Sequence, residues 1–462
     1  MAELGDDQKK VFDSLSDELN KLAPDFELLD KYYDGQQTLQ QLGLAIPPDL
    51  LQFTVIVNWP RIAVDGVNER LEQKGFRLPG ADGRAQDLWN MWQRARMVEQ
   101  SSMARADYQI FGRTYACIGS NEDDPSTPIV TVESPRNVIT KRDPRTGKVS
   151  AALRLYDVQN GQPTASTLYL PEETVYLSSS GGGWSIDEKD EHNLGVVPVV
   201  PTFRRRRTQI PSHRTGQGVS AMADVIPITD SAARVITNAQ VAQETHAVPQ
   251  RYALGVTKGD FVDQDGNPLP VWEAYFGSVW GLANQDAKVG NLSSSDMSNF
   301  ERMVELYARL ASGVSSLPPN YFGLSADDAA SADAIRSREA KLVKSAEMDQ
   351  QALGHAAVET LRIMVKIRDG ANADPLDGLE SLWYDAATPT VAQRTDAVVK
   401  QYTATDGRGL SLLPAEAAWE ELGKSPTEIE RLKDMRARDM EDPQLDRITR
   451  TFNDVTGGNA AA

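Results

Sequence analysis

Hydrophobic positions recur at three- and four-residue intervals in the N-terminal part of the chain, a spacing typical of amphipathic helices. One stripe covers residues 11–22, and Pro24 is expected to end it because proline lacks the N–H that a helix interior needs. Further helices are predicted from Pro60, which suits a first helical turn, to Gly75, and over residues 85–110. The pattern therefore predicts a helical N-terminal region.

From Thr114 to Phe203 the hydrophobic spacing shifts towards alternation, the pattern of half-buried β-strands. The runs TYACIG, KVSAALRLYDV and TVYLSS are separated by turn residues such as Gly147 and Gly161. This segment is predicted to be an antiparallel sheet that forms one α+β domain with the preceding helices.

Helical spacing returns in the C-terminal half, where a loop with paired prolines precedes the strongest helix of the sequence. The predicted helices cover residues 218–247, 295–312 and 326–368, and a final helical region covers 391–440. A short β-containing segment separates the first two helices. The helix over 326–368 would be about 60 Å long at 1.5 Å per residue. One subunit cannot easily bury such an element, so lateral packing in an oligomer is expected. The fold class that follows is α+β and mainly helical.

Composition narrows the class of protein. The 462 residues are too many for one compact core, and 40% hydrophobic with 25% charged residues is typical of a folded protein. No apolar run is long enough to span a bilayer and no secretory signal is recognisable, so assembly in the cytoplasm without a membrane is expected. The single cysteine, Cys117, excludes an intramolecular disulfide and a cysteine-rich zinc cluster.

The formal net charge of −18 limits how the chain can bind nucleic acid. Proteins that hold DNA tightly through its phosphates are usually basic, because Lys and Arg release the counterions of the duplex. The chain is therefore not expected to bind DNA generally over most of its surface. An acidic wall would suit a conduit to which DNA must not stick, although acidic surfaces are also common among soluble proteins.

Catalytic patterns are sparse. The histidines show no metal-ligand spacing, and neither an HExxH motif nor a GxxxxGK[ST] phosphate loop is present. Gly216 and Gly218 lack the third glycine of a dinucleotide site, and Asp263–Gly266 lacks the glutamate of a calcium loop, so a helix start and a hairpin turn are the preferred interpretations. No cofactor, metal or catalytic residue is expected, and a carboxylate pair of a hydrolase stays open as an alternative.

Several stretches of the sequence resemble the SPP1-type portal family, in particular portal proteins of tailed phages that infect actinobacteria. The stretches follow one another in the same order as in that family. They are NWPRIAVDGVNERLEQKGFRLPG (Asn58–Gly80), SGVSSLPPNYFG (Ser312–Gly323), SADAIRSREAKLVKSAE (Ser331–Glu347), TDAVVKQY (Thr395–Tyr402) and LLPAEAAWEELGKSPTEIERL (Leu412–Leu432). Together they extend over most of the chain.

The resemblance implies a portal fold with an α/β wing, a helical stem, a small β-containing clip, a long tunnel helix and a helical crown. Mapped by order, we expect an N-terminal helix at 1–25, the wing at 26–215, stem helices at 216–246 and 294–315, the clip at 247–293, the tunnel loop at 316–330, the long helix at 331–375, the crown at 376–440 and a disordered tail at 441–462.

The same resemblance implies a structural, non-enzymatic role at one vertex of the virion capsid. Such subunits usually form a dodecameric ring through which double-stranded DNA is packaged and later ejected, without reading its sequence. The implied partners are further copies of the chain, the terminase large subunit, the major capsid and scaffolding proteins, and the head–tail adaptor. The alternative to a portal subunit is another oligomeric protein of the phage head.

The sharpest candidate for contact with DNA is a basic cluster on the long predicted helix. It consists of Arg336, Arg338, Lys341 and Lys344. The last three fall within about 120° of arc at 3.6 residues per turn, opposite Leu342 and Ala346. In a ring this face would look into the channel. Alternatively it is a solvated helix face with local ion pairs to Glu339 and Glu347.

The implied tunnel loop is the second candidate, and its residues are Ser315, Ser316, Leu317, Pro318, Pro319 and Asn320. Paired prolines restrict the backbone, while Ser and Asn offer uncharged hydrogen-bonding groups, a combination that suits a mobile collar around DNA. A plain connector between two helices is the alternative.

Two further sets of residues are candidate contact surfaces. The arginine run Arg204, Arg205, Arg206 and Arg207 could bind phosphates, but pairing with carboxylates of a neighbouring subunit is the preferred interpretation. The aromatic residues Trp272, Tyr275, Phe276 and Trp280 fall in the implied clip, where terminase docking is expected.

Overall fold

The computed structural model of the chain describes ten stretches of residues. They are 4–38, 54–180, 183–208, 218–246, 251–255, 288–291, 297–324, 332–370, 373–387 and 391–440. The predicted tunnel-loop residues after 324 and the four aromatic residues of the implied clip lie outside these stretches.

The described helices are α1 (Asp6–Asp34), α2 (Trp59–Asn68), α3 (Asp82–Arg94), α4 (Met97–Phe111), α5 (Ile226–His246), α6 (Ser298–Ser315), α7 (Ala332–Asp369), α8 (Val391–Thr403), α9 (Ala415–Glu421) and α10 (Pro426–Met440). A short 3-10 helix, Pro319–Phe322, follows α6.

The described strands are β1 (Gln73–Arg77), β2 (Arg113–Gly119), β3 (Ile129–Glu133), β4 (Val138–Arg142), β5 (Val149–Gln159), β6 (Gln162–Tyr169), β7 (Thr174–Ser180), β8 (Gly183–Asp190), β9 (Val199–Phe203), β10 (Arg251–Leu254), β11 (Lys288–Asn291) and β12 (Glu380–Trp383). Together with the helices they confirm an α+β, mainly helical chain.

The strands pair antiparallel throughout the described part of the chain. Five of them form a meander in the order β4-β5-β6-β7-β8, and three form a second sheet in the order β3-β2-β9. Strand β1 pairs with β12, which joins the N-terminal and C-terminal parts of the chain. Strands β10 and β11 form a two-stranded ladder within the segment predicted to be β-containing.

Helix α1 shows that the prediction of a helix end at Pro24 is wrong. The helix continues through Pro24 to Asp34 and ends at Gly35, which adopts a left-handed conformation with φ +70°. An internal proline costs about 3 kcal/mol. Leu22 and Phe26, on either side of it, are buried in the same hydrophobic core, and this packing holds the helix together.

Two other helix boundaries were also predicted wrongly. Helix α2 ends at Asn68, and Gly75 lies in strand β1 instead of at a helix end. The predicted helix over 85–110 is divided into α3 and α4 at Arg96, whose φ of +58° is left-handed. The break turns the chain so that both halves bury apolar side chains, such as Trp92 and Met97, in one core.

Helix α7 is the element that connects the separate cores. Its N-terminal half buries Leu342 and Ala346 in a cluster with α2, α5 and α6. Its C-terminal half buries Leu361 and Met364 in a second cluster with α3 and the three-stranded sheet. A helix of 38 residues is about 57 Å long. Helix α7 therefore sets the distance between the helical cluster at its N-terminal half and the three-stranded sheet at its C-terminal half.

Candidate channel face and the contacts that hold it

The basic cluster lies on the exposed face of α7. Arg338, Lys341 and Lys344 are exposed, and Leu342 and Ala346 on the opposite face are fully buried, as their spacing predicted. The cluster therefore sits on a face that the rest of the described chain leaves accessible.

The cations of this face differ in what they bind. The ammonium of Lys341 donates a 2.6 Å hydrogen bond to the carbonyl of Gly313 in the last turn of α6, where the helix dipole favours a positive charge. Lys344 forms a 2.9 Å ion pair with Glu347, one of the two local pairs expected for a solvated face. The other, Glu339, instead pairs with Arg70 of α2 at 3.2 Å. Arg338 has neither an ion pair nor a hydrogen bond with another described residue.

A buried polar network lies directly under the middle of α7. Its centre is Asp349, which accepts hydrogen bonds from the Tyr108 hydroxyl at 3.0 Å and from the Gln109 amide at 2.8 Å. The Nε atom of Arg204 lies 3.6 Å from the same carboxylate, which is an ion-pair distance, and its Nη1 donates to the Val219 carbonyl at 3.2 Å. The network joins α4, the end of β9 and α7.

The charges of this network are removed from water. Arg204 is 3% exposed and Asp349 is 4% exposed. Burial lowers the pKa of the Arg204 guanidinium, an effect that Asp349 opposes. The pKa of Tyr108 is raised, first by burial and then by the adjacent carboxylate. A guanidinium stays protonated in a protein, so the contact is a buried ion pair whose loss would leave an uncompensated charge.

Two glycines bring the backbone together beside this network. Gly112 and Gly218 both have left-handed φ angles, of +75° and +88°. A Cβ atom on Gly218 would lie 2.2 Å from the Gly112 carbonyl oxygen, and one on Gly112 would lie 2.5 Å from the Val219 nitrogen. The helix-start interpretation of Gly218 is wrong, because α5 begins at Ile226 and the glycine serves this close approach.

The first part of the predicted tunnel loop is packed against the subunit itself. Ser316, Leu317 and Pro318 are buried, whereas Pro319 and Asn320 are exposed. Leu317 packs so closely on α2 that a Cβ atom on Gly66 would lie 2.9 Å from it. A collar around DNA is therefore not expected at Ser316, Leu317 and Pro318, whereas for Pro319 and Asn320 the tunnel-loop role stays a prediction.

The anchoring of this loop has two sources. The Ser312 hydroxyl at the end of α6 donates to the Leu317 carbonyl at 2.7 Å. The rings of Trp59 and Phe322 meet edge to face at 5.8 Å. The sequence could have indicated this anchoring, because Leu317 and Phe322 are apolar and apolar side chains are not expected in a loop that is exposed to water.

The arginine run divides into two parts. Arg204 is buried and pairs with Asp349 of its own chain, so it is not available to a neighbouring subunit, and the interface expectation is wrong for this residue. Arg205, Arg206 and Arg207 are exposed. For them the interface stays a prediction.

Sequence reasoning missed an apolar ridge on α6. It consists of Met303, Leu306, Leu310 and Val314, which are 40–50% exposed. The opposite face of α6 carries Val304, Ala308 and Ala311, which pack into the core around α7. A helix that is apolar on both faces is normally buried on both. The apolar residues on both faces of α6 could therefore have revealed the ridge from the sequence.

A cleft lies on another side of α6, between α5 and the 3-10 helix. Its volume is about 780 Å³, and its lining includes Ile236, Phe300, Pro319 and Phe322. At 100° per residue, Phe300 and Val304 lie on a different side of α6 from the ridge. The subunit thus carries an exposed apolar ridge and an apolar cleft on separate surfaces.

Other kinds of site receive no support from the described residues. Within them, no group of three or more His, Cys, Asp and Glu side chains is arranged to hold a metal ion. The described helices also include none that is both long enough and apolar enough to cross a membrane.

Known proteins resemble this chain over most of its length. The family described as "Phage portal protein, SPP1 Gp6-like" matches residues 13–442. The portal proteins of Mycobacterium phages L5 and D29 are 31% and 30% identical to it over 414 residues, and each alignment covers 87% of this chain and 83% of the relative.

Among solved structures, the chain is similar to one in "Neck of empty GTA particle computed with C6 symmetry". The TM-score is 0.46 at 14% identity, over 84% of this chain and 92% of that chain. The family match and the two phage relatives confirm the resemblance that the sequence motifs indicated. The chain belongs to the phage portal protein family.

Proposed function

We propose that the chain is the ring-forming subunit of a portal, a structural and non-enzymatic conduit through which double-stranded DNA enters and leaves a phage capsid. The observation that carries this proposal is the pairing of an apolar ridge and an apolar cleft on separate sides of the stem region. A ring closes when one surface of each subunit binds a different surface of the next, so both surfaces must exist on every copy.

The ridge on α6 supports such an interface energetically. Each of Leu306 and Leu310 is about half exposed, and burying the remainder would contribute about 1 kcal/mol per side chain. Repeated around a closed ring, this contribution stabilises every contact between neighbours.

The basic face of α7 supports the proposed contact with DNA. In a chain of net charge −18, most of the ring repels the duplex, and attraction must be local. Arg338, Lys341 and Lys344 would contact phosphates transiently, because exposed ion pairs in water are weak. Such contacts carry no base specificity, as packaging of a whole genome requires.

The further roles follow from the family and belong to this proposal. The segment 247–293 would dock the terminase during packaging and the head–tail adaptor afterwards, with Trp272, Tyr275, Phe276 and Trp280 as its aromatic contacts. The wing would meet the capsid and scaffolding proteins, which places the protein in the virion.

The test is the particle mass of the purified full-length chain with one substitution on the ridge. Leu310→Asp places a charge on the proposed interface at a half-exposed position, and Val158→Asp, on an exposed apolar residue of β5, is the control. We expect oligomers from the wild type and the control, and monomers from Leu310→Asp. Oligomers of unchanged mass from all three proteins would contradict the role of the ridge.

A further inference from the structure

Three guanidinium groups converge on the ring of Phe203 at the end of β9. The central carbon of Arg142 lies 5.4 Å from the ring centroid, that of Arg113 lies 5.9 Å away and that of Arg206 lies 6.0 Å away. They come from the end of β4, the start of β2 and the turn after β9. We call these three residues the Phe203 arginine cluster.

The described chain does not neutralise this cluster. None of its three members forms an ion pair with a carboxylate of a described residue, although Arg113 hydrogen-bonds to Tyr115 and Nη1 of Arg142 donates to the Gly147 carbonyl at 2.8 Å. The Nε atoms of Arg113 and Arg142 are buried, and neither has an acceptor among the described residues. Arg113 is 7% exposed and lies between the rings of Phe26 and Phe203. Burial lowers the pKa of Arg142, and the like charge of Arg206 lowers it further.

A strained turn brings the third arginine into the cluster. Arg205 has a left-handed φ of +46°, which costs a non-glycine residue about 1 kcal/mol or more. The turn begins where the Arg204 N–H donates to the Gly112 carbonyl at 2.8 Å, and it returns Arg206 over Phe203. Strained backbone is found more often at binding and active sites than elsewhere.

A cleft of about 520 Å³ adjoins the cluster and shares Arg142 with it. Its cationic rim is Arg142, Lys148 and Lys366, and its apolar lining includes Val196, Pro201 and Ile363. Of its three acidic residues, Glu359 pairs with Arg362 at 2.6 Å and Asp374 with Arg84 at 3.3 Å, whereas Asp377 has no ion pair with a described residue. The cleft thus combines an apolar floor with cations that lack a carboxylate partner among the described residues.

We propose that the Phe203 arginine cluster and this cleft bind an acidic segment of a second copy of the chain. The inference rests on the proposed ring, in which each copy has a neighbour at a fixed position. Every copy carries 66 Asp and Glu residues against 48 Lys and Arg, so neighbours repel unless a basic surface receives some of these carboxylates. Guanidinium groups bind carboxylates in a two-pronged geometry, and partial burial weakens screening by salt.

The apolar floor favours a protein segment over DNA as the occupant. A duplex presents a continuous polyanionic surface, which gains nothing from apolar residues such as Val196 and Ile363. An acidic peptide places its carboxylates on the rim and its apolar side chains on the floor. Phosphates of DNA are therefore an outcome of the test and not part of the proposal.

The test compares ring assembly of the full-length wild type, Arg206→Glu and Arg145→Glu over a series of NaCl concentrations. Both arginines are exposed and both changes have the same charge, but Arg145 lies in the β4–β5 turn outside the cluster. We expect Arg206→Glu to need at least about tenfold more protein for half-maximal assembly, and Arg145→Glu to match the wild type. Thermal melting confirms that both variants fold.

A zero-length cross-link between amines and carboxylates supplies a second readout. With a mixture of isotope-labelled and unlabelled chains, we expect Lys148 to couple to an Asp or Glu of another copy. Unchanged ring assembly of Arg206→Glu, or coupling of Lys148 within one copy alone, would overturn this inference and leave the ring intact. Binding of a DNA duplex that depends on Arg206 without any change in assembly would also overturn it. A wild type that forms no ring would contradict the proposed function itself.

Discussion

Arg204 and Asp349 form a buried ion pair between the end of β9 and the middle of α7, with 3.6 Å between Nε and Oδ2. Such pairs contribute little net stability, because removing both charges from water offsets their attraction. They do fix geometry, since any shift of one partner leaves a buried charge alone. The pair therefore holds the long helix, and with it the basic face, in one position relative to the sheets.

The first prediction concerns the centre of this network. Asp349→Ala removes the acceptor of Tyr108, Gln109 and Arg204, and we expect it to lower the free energy of unfolding by about 3–5 kcal/mol. Denaturant unfolding measures the change. Glu347→Ala, on the exposed face of the same helix, should change stability by less than about 0.5 kcal/mol. Equal effects of the two substitutions would show that the network does not hold α7.

The second prediction concerns the close approach of the two glycines. Gly218→Ala adds a Cβ atom 2.2 Å from the Gly112 carbonyl oxygen, so the backbone must move apart. We expect a loss of about 3 kcal/mol or more in unfolding free energy. Gly147→Ala is the matched control, because Gly147 also has a left-handed φ but, apart from its chain neighbours, no described residue has an atom within 4 Å of such a Cβ. The control should lose about 1 kcal/mol, the cost of the left-handed backbone alone.

The third prediction concerns pH. Burial raises the pKa of Asp107 on α4 to about 6 from 3.8, although a hydrogen bond with Ser134 opposes the shift. The folded state therefore holds this proton more tightly than the unfolded state. Stability from this group is fully present below the unfolded pKa and is lost as the pH rises through about 6.

Asp107→Asn keeps the side chain neutral at every pH. We expect the variant to exceed the wild type in unfolding free energy by about 1–3 kcal/mol above pH 7, with a smaller difference near pH 4. Asp17→Asn, an exposed residue of α1, controls for the loss of one charge. A difference that grows towards low pH would contradict the assignment.

The fourth prediction concerns passage of DNA. Reversing the charges of Arg338, Lys341 and Lys344 together should leave fewer full particles in a complementation assay, because the channel would lose its local attraction for phosphates. Reversal of Lys9, Lys21 and Lys400, which are exposed elsewhere, is the control. Rings of the triple variant are checked first by particle mass. If they form normally and packaging is untouched, the basic face has no role in it.

The periodicity of hydrophobic residues predicted most of the elements. The alternation from Thr114 to Phe203 gave strands, and the stripe with Leu342, Ala346, Leu353, Ala357 and Leu361 gave the buried face of α7. Such a pattern depends only on which face of a helix or strand is buried, so it can be recognised in the sequence without knowing which element packs against that face. The end of α1 could not be predicted in this way, because the packing of Leu22 and Phe26 outweighs the cost of Pro24.

The candidate site was predicted in part. The exposed face with Arg338, Lys341 and Lys344 follows from spacing along one helix. The partner of Arg204 does not, because Asp349 is distant in sequence and nothing local distinguishes this arginine from the three that follow it. The anchored state of Leu317 depends in the same way on its contact with Gly66. Long-range pairs of this kind require the fold.

The most direct measurement is an electron-microscopy average of the purified full-length chain, followed by a reconstruction. We predict a closed ring with a central pore, in which Leu306 and Leu310 of α6 lie against the neighbouring subunit and Arg338, Lys341 and Lys344 of α7 face the channel. A monomer, an assembly without a pore, or a ring whose α6 ridge faces solvent would contradict this account.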